Sequence, residues 1–243
     1  MKVFSQEYTD LMPEGMFGGK AQNLAKMSAA GVRVPPGFAM SPSEVVGRKD
    51  IAHLIRAVCG GYPVAVRSSA IGEDGAGQSF AGQYDTVLNL FTLPQTMKAI
   101  EQVRKSADNT RIEAYREEFG LDSGGVGVVI QQMLRPTSSG VMFTAEPVEG
   151  DTSLVAIESV PGLGDKLVSG QASPDFVLLQ KATGVTVEET SIDEPVLGRT
   201  ERNLLLEAGL ELEALFGCPQ DIEWAFSNNG TLFILQSRPI TTL

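Results

Sequence analysis

The chain has 243 residues, 42% hydrophobic and 20% charged, enough to bury a substantial core in one large domain or two subdomains. Its 19 Lys and Arg against 30 Asp and Glu leave a net charge of −11 and a pI of about 4.6, which argues against broad binding to nucleic acid or to an anionic membrane. No run approaches the ~20 apolar residues that span a bilayer, and the first residues lack the apolar core of a signal peptide. Cys59 and Cys218 form no CxxC pattern; their thiols are expected reduced, with a single disulfide as the alternative, in a soluble, cytoplasmic protein.

In chain order, Gly19 to Ala30 reads as a helix, with Leu24, Met27 and Ser28 at three-to-four spacing and Gly31 as its stop. The run from Val32 through Pro35-Pro36 to Phe38 cannot continue that helix and is expected extended. A short helix near Ile51 to Val58 precedes an apolar strand, Pro63 to Arg67. A loop of small residues, Ser68 to Gly82, leads to a strand at Tyr84 to Leu90, then helices at about Pro94 to Ala107 and Thr110 to Phe119. Strands follow at Gly127 to Leu134, Gly140 to Thr144, Leu154 to Ser159, Phe176 to Gln180 and Val185 to Glu189, with a helix from about Arg202 to Phe216. Helices mixed with strands in this way predict an α+β or α/β protein.

The C-terminal stretch is the richest in chemistry. Asp221 to Phe226 and Thr231 to Pro239 read as two strands joined by Ser227-Asn228-Asn229-Gly230, a turn whose residues tolerate positive φ. Strand alternation puts Asp221 and Glu223 on one face of the first strand, and Gln236 and Arg238 on one face of the second. Carboxylate and amide oxygens suit Mg²⁺ and a guanidinium suits phosphate, so the hairpin points to a nucleotide. A surface hairpin turned to water fits the same alternation.

Upstream, Gly18-Gly19-Lys20 enters a helix, where backbone N–H groups and a lysine favour an anion. It is not a Walker loop, since Glu14 and Ala21 stand where that motif needs glycine and Ser/Thr, and alone it fits a capped surface helix better. Arg67 closes an apolar strand and needs solvent, a carboxylate or a ligand. The loop behind it, with Gly72, Gly75, Gly77, Ser79, Gly82, Gln83 and Thr86, can bring N–H groups close to phosphate or simply form a flexible surface loop. Gln131, Gln132 and Met133 end a strand that suits either a plain core or the edge of a nucleobase.

Taken in order, these segments resemble the N-terminal nucleotide-binding domain shared by phosphoenolpyruvate synthase and pyruvate phosphate dikinase. The resemblance runs from Gly18-Gly19-Lys20 to Pro35-Pro36-Gly37-Phe38, then through Val64 to Ala70 and Ser79 to Thr86. It continues in Ser139 to Thr144, Gly162-Leu163-Gly164-Asp165, Ser173-Pro174-Asp175, and Asp221, Glu223 with Leu235 to Pro239. It implies an ATP-grasp fold, two lobes enclosing a nucleotide cleft, here residues 1–130 and 131–243. In that family the domain phosphorylates a histidine on a separate swivelling domain, and rifampicin-phosphorylating enzymes and glucan/water dikinases resemble it too.

By that resemblance Lys20 and Arg67 contact the triphosphate, and the loop carrying Gly82, Gln83 and Thr86 covers it. Gln131 to Met133 form the adenine-side hinge. Glu223 and Gln236 bind Mg²⁺ with Asp221 close by, and Arg238 contacts the transferred phosphate. The implied ligands are ATP and Mg²⁺, and the implied partner is a phosphohistidine domain, on another protein or on C-terminal domains missing from this sequence. Two departures stand out. The stretch Phe38 to Val64 is far shorter than in the family, so the first lobe is expected to be reduced. No swivelling domain is recognisable before Leu243, so activity by this chain alone is not expected. His53, the one histidine, lacks the small-residue context of a phosphoacceptor and is expected to be structural or solvated.

Overall fold

Short branched-apolar runs cut by glycine and proline make strands the commonest element of this chain. The computed structural model describes every residue except 6, 8, 11, 14, 72–85, 106–124, 165–166, 168–169, 171–172, 192–193 and 242–243. Two compact units emerge, Met1–Met133 and Leu134–Leu243. Both sheets are antiparallel throughout, so the expected mixture of helix and strand takes the α+β form.

In the first unit, β1 (Lys2–Phe4), β2 (Gly37–Met40), β3 (Val64–Ala70), β4 (Thr86–Leu90) and β5 (Val126–Gln132) form a sheet ordered β1-β2-β5-β3-β4. Period-two alternation sends Val64, Val66 and Ala70 of β3, with Val126, Val128 and Ile130 of β5, into the core. There they meet Ile51 and Ile55 of α2 (Arg48–Ala57) and Ala99, Ile100 and Val103 of α3 (Leu93–Lys105). Burying such a side chain contributes about 1.5–3 kcal/mol. The opposite face carries Arg67, Ser69 and Gln131, and α1 (Gly19–Ala29) lies against it. That helix stops where expected, with Gly31 at φ 87°.

In the second unit, β6 (Pro136–Phe143), β7 (Leu154–Pro161), β8 (Asp175–Gln180), β9 (Thr186–Thr190), β10 (Gln220–Ser227) and β11 (Leu232–Pro239) form a sheet ordered β11-β10-β6-β7-β8-β9. One face is apolar: Ile222, Trp224, Phe226, Met142 and Ile157 are buried with Leu205, Leu206 and Leu212 of α4 (Arg199–Phe216). Gly209 lets the helix sit close, since a Cβ there would lie 3.0 Å from the Met142 methyl. Gly140 lies under the Trp224 ring; a Cβ would sit 2.7 Å from Cζ2 and collide with the Glu158 carbonyl. The other face is where polar chemistry gathers.

Differences from the sequence reading are local. β1 has three residues and forms by pairing with β2, a tertiary contact with no local signature. Ser68 to Ala70, expected in a loop, continue β3 because Gly127 and Val128 of β5 hold them in register. The helix expected at 110–119 lies outside the described residues. Among the described residues no helix is long and apolar enough to cross a membrane. Cys59 and Cys218 are free thiols, and burial pushes the Cys59 thiol up to about 12.

Candidate functional site

In the first unit a cationic corner forms where α1 meets β3. Lys20 is only 6% exposed and its Nζ donates to the Ser68 carbonyl at 3.0 Å. Arg67, 8% exposed, precedes that carbonyl in the strand. Thr86, directly opposite Arg67 on β4, shares its face of the sheet and is exposed. Gly82 and Gln83 lie outside the described residues. Buried cations need anionic or dipolar partners, because isolated buried charge is costly.

The strand end at Gln131 to Met133 is more occupied than the sequence implies. The Gln131 amide donates to the Pro35 carbonyl at 2.8 Å, and the side chain is buried. The Gln132 N–H donates to the Pro36 carbonyl at 2.9 Å and the Met133 N–H to the Pro63 carbonyl at 3.1 Å. A base approaching here meets carbonyl acceptors rather than those two donors.

In the second unit the hairpin forms as the turn predicts, with Gly230 at φ 76° and its N–H donating to the Ser227 carbonyl. Register then sets the polar face. Asp221 pairs with Arg238 and Glu223 with Gln236, so all four lie on one face. A bulge follows at once: Trp224 pairs with Ile234, and the extra residue, Leu235, returns the next side chains to the apolar face.

Arg238 Nε and Nη2 both donate to Asp221 Oδ2, at 2.8 and 2.6 Å. The pair is partly buried, and burial pushes the Asp221 carboxyl up while the Arg238 charge and hydrogen bonds pull it down and Glu223 pushes it up again; the net direction is upward. Asp221 is therefore engaged with Arg238. Glu223, half-buried, and Gln236, buried, bring a carboxylate and an amide oxygen side by side. Mg²⁺ takes one or two protein oxygens and completes its shell with phosphate and water, so this pair fits it. No cluster of three or more His, Cys, Asp or Glu suited to a metal occurs among the described residues.

Glu158 is the residue that sequence reasoning missed. Glu223 faces Val141 on β6, and Val141 faces Glu158 on β7, so Glu158 lies in the row of Gln236 and Glu223. Burial pushes its carboxyl up, and the Asp221 charge adds to the shift. Only the strand order β10-β6-β7 could have revealed it. His53 is exposed on α2, as expected of a solvated residue.

The family described as "Pyruvate phosphate dikinase, AMP/ATP-binding domain" matches residues 42–195 and 180–243. A rifampicin phosphotransferase of Streptomyces sp is 33% identical over 297 residues, covering 93% of this chain and 34% of that protein. A rifampicin phosphotransferase of Bacillus cereus is 36% identical, covering 83% and 26%. A probable phosphoenolpyruvate synthase of Methanothermobacter thermautotrophicus is 31% identical over 305 residues, covering 94% and 44%. The chain thus spans less than half the length of each of these relatives. Two of the alignments are longer than the chain's 243 residues, so those relatives carry inserted residues. A solved D-alanine-D-alanine ligase from Coxiella burnetii overlays at TM-score 0.48 and 12% identity, covering 92% of this chain and 48% of that one, too slight a likeness to bear on activity.

Proposed function

The chain belongs to the pyruvate phosphate dikinase, AMP/ATP-binding domain family, and from that premise we propose that it binds Mg-ATP and passes a phosphoryl group to a histidine on a separate domain or partner. The two units are then the lobes of an ATP-grasp domain, the first reduced. The short stretch from Phe38 to Val64 supports that reduction. The observation that carries the reading is the matched pairing of Glu223 with Gln236 and Asp221 with Arg238 on one sheet face.

Phosphoryl transfer asks a protein mainly for positioning and charge neutralisation. Lys20, Arg67 and Arg238 offset phosphate charge, and Asp221 holds the Arg238 fork in place. Glu223 and Gln236 would hold Mg²⁺, which would supply charge neutralisation at the phosphates. Thr86, opposite Arg67 on the sheet, lies toward the phosphates, and Gln131 to Met133 border the base through carbonyl groups. Such chemistry needs no nucleophile from this chain. The two free thiols accord with a reducing, cytoplasmic setting.

Calorimetric titration of ATP with and without Mg²⁺ tests the site. Glu223→Ala and Gln236→Ala should each weaken metal-dependent binding by about ten-fold, and unchanged affinity and metal dependence in both variants would refute the assignment. The rifampicin phosphotransferase relatives favour a second reading, a component of a small-molecule kinase. Product formation from a small-molecule acceptor without any histidine domain would promote it. Binding without transfer to any supplied histidine domain would instead indicate a reduced nucleotide-binding module.

A further inference from the structure

Helix α1 begins without a capping side chain, since its N-cap residue is Gly18. A side chain cannot be added there: Gly18 sits at φ 84°, and a Cβ would collide with the Ser69 carbonyl and lie 2.6 Å from Ser69 Oγ. The missing cap comes from that same serine. Ser69 Oγ accepts the Ala21 N–H at 3.0 Å, the third helical N–H, which an N-cap side chain ordinarily satisfies. Ser69 is fully buried. One residue along the helix from Gly19, Lys20 sends its ammonium back to the Ser68 carbonyl at 3.0 Å. The first turn of α1 is thus fastened to β3 at Ser68 and Ser69, immediately after Arg67.

We propose that Ser69 is a positioning residue, capping α1 from the neighbouring strand and thereby holding Lys20 beside Arg67; this rests on the nucleotide-binding reading above. Ser69 need not touch ATP. It acts through Lys20, by fixing the turn from which the lysine projects. Helices are ordinarily capped by a residue adjacent in sequence, and a cap 48 residues away ties the helix start to the strand that carries the second cation.

The test is a cycle of ATP affinities, read by calorimetry with Mg²⁺ present, for the intact chain, Ser69→Ala, Lys20→Ala and the double variant, with urea unfolding of each. Losing a cap is worth ~1 kcal/mol, so Ser69→Ala should lower ATP affinity about five-fold. In the Lys20→Ala background the same change should lower it no further. Ser69→Cys keeps a side-chain acceptor in place, weaker and somewhat larger than the hydroxyl, so it gives an intermediate loss even where Ser69→Ala fails to fold. An equal loss in both backgrounds, or full affinity in folded Ser69→Ala or Ser69→Cys, overturns the proposal while leaving the nucleotide site standing. An intact chain that binds no ATP, or binds it equally well as Lys20→Ala, overturns the site reading and this proposal with it.

Discussion

In the first unit, Lys20 reaches a carbonyl 48 residues along the chain, and it does so because Gly18 lets helix backbone touch strand backbone. In the second unit, Arg238 reaches a carboxylate 17 residues away, and it does so because a four-residue turn fixes the register of two strands. The cationic corner therefore depends on a close approach of two distant elements, and the hairpin face on pairing within one local element. These are different vulnerabilities. Added volume breaks the first, whereas loss of one charge or one ligand disables the second without unfolding it.

The largest effect should come from volume. Gly18→Ala adds a Cβ where φ is 84° and the Ser69 carbonyl already lies, so unit 1 should lose about 2–4 kcal/mol in urea unfolding. A loss under about 1 kcal/mol for Gly18→Ala would mean that the corner relaxes easily, and the contrast between the two units would collapse.

The next effect is functional. Asp221→Asn keeps the size of the side chain but removes the charge that Arg238 grips. A charged hydrogen-bonded pair that is partly exposed is worth about 1–2 kcal/mol, so on the proposed reading Mg-ATP affinity should fall by up to about ten-fold, with a stability loss no larger than the pair's worth. The Mg²⁺ concentration dependence should stay where it was. A shift in metal dependence matching that of Glu223→Ala would place Asp221 among the metal ligands and remove it from the guanidinium's support.

What the sequence revealed follows the same division. The hairpin was legible because Ser227-Asn228-Asn229-Gly230 fixes a turn and alternation fixes the faces. The bulge at Leu235 was not, since nothing in Thr231 to Pro239 marks which residue is extra. Lys20 could be read as a helix-start lysine, but its burial follows from contact with β3, which spacing cannot show. Ser69 carries no local signal at all, because its hydrogen-bond partner lies 48 residues away. Gln131 was read as the border of a base, yet its amide already holds the Pro35 carbonyl, a bond set by the β2–β5 pairing. Sequence reading reaches a pairing where both partners share one local element.

Glu158 carries the smallest expected effect and the sharpest test of the row across β10, β6 and β7. Burial first, and then the Asp221 charge, raise its carboxyl above the ordinary glutamate value. The folded state therefore binds this proton more tightly than the unfolded state does. Stability from this group is fully present at pH below the unfolded value, about 4.3, and declines as pH rises toward the raised folded value. Glu158→Gln removes the ionisation and with it the decline. Without divalent metal, the variant should be more stable than the parent at pH 7, by less than about 1 kcal/mol because the group is half exposed, and no more stable at pH 4. An advantage of equal size at both pH values would be a packing effect and would not involve charge. Asp221→Asn in the same background should shrink the advantage, because it removes the neighbouring negative charge. If it does not, Glu158 owes its shift to burial alone, and the row couples its carboxylates less than strand register implies.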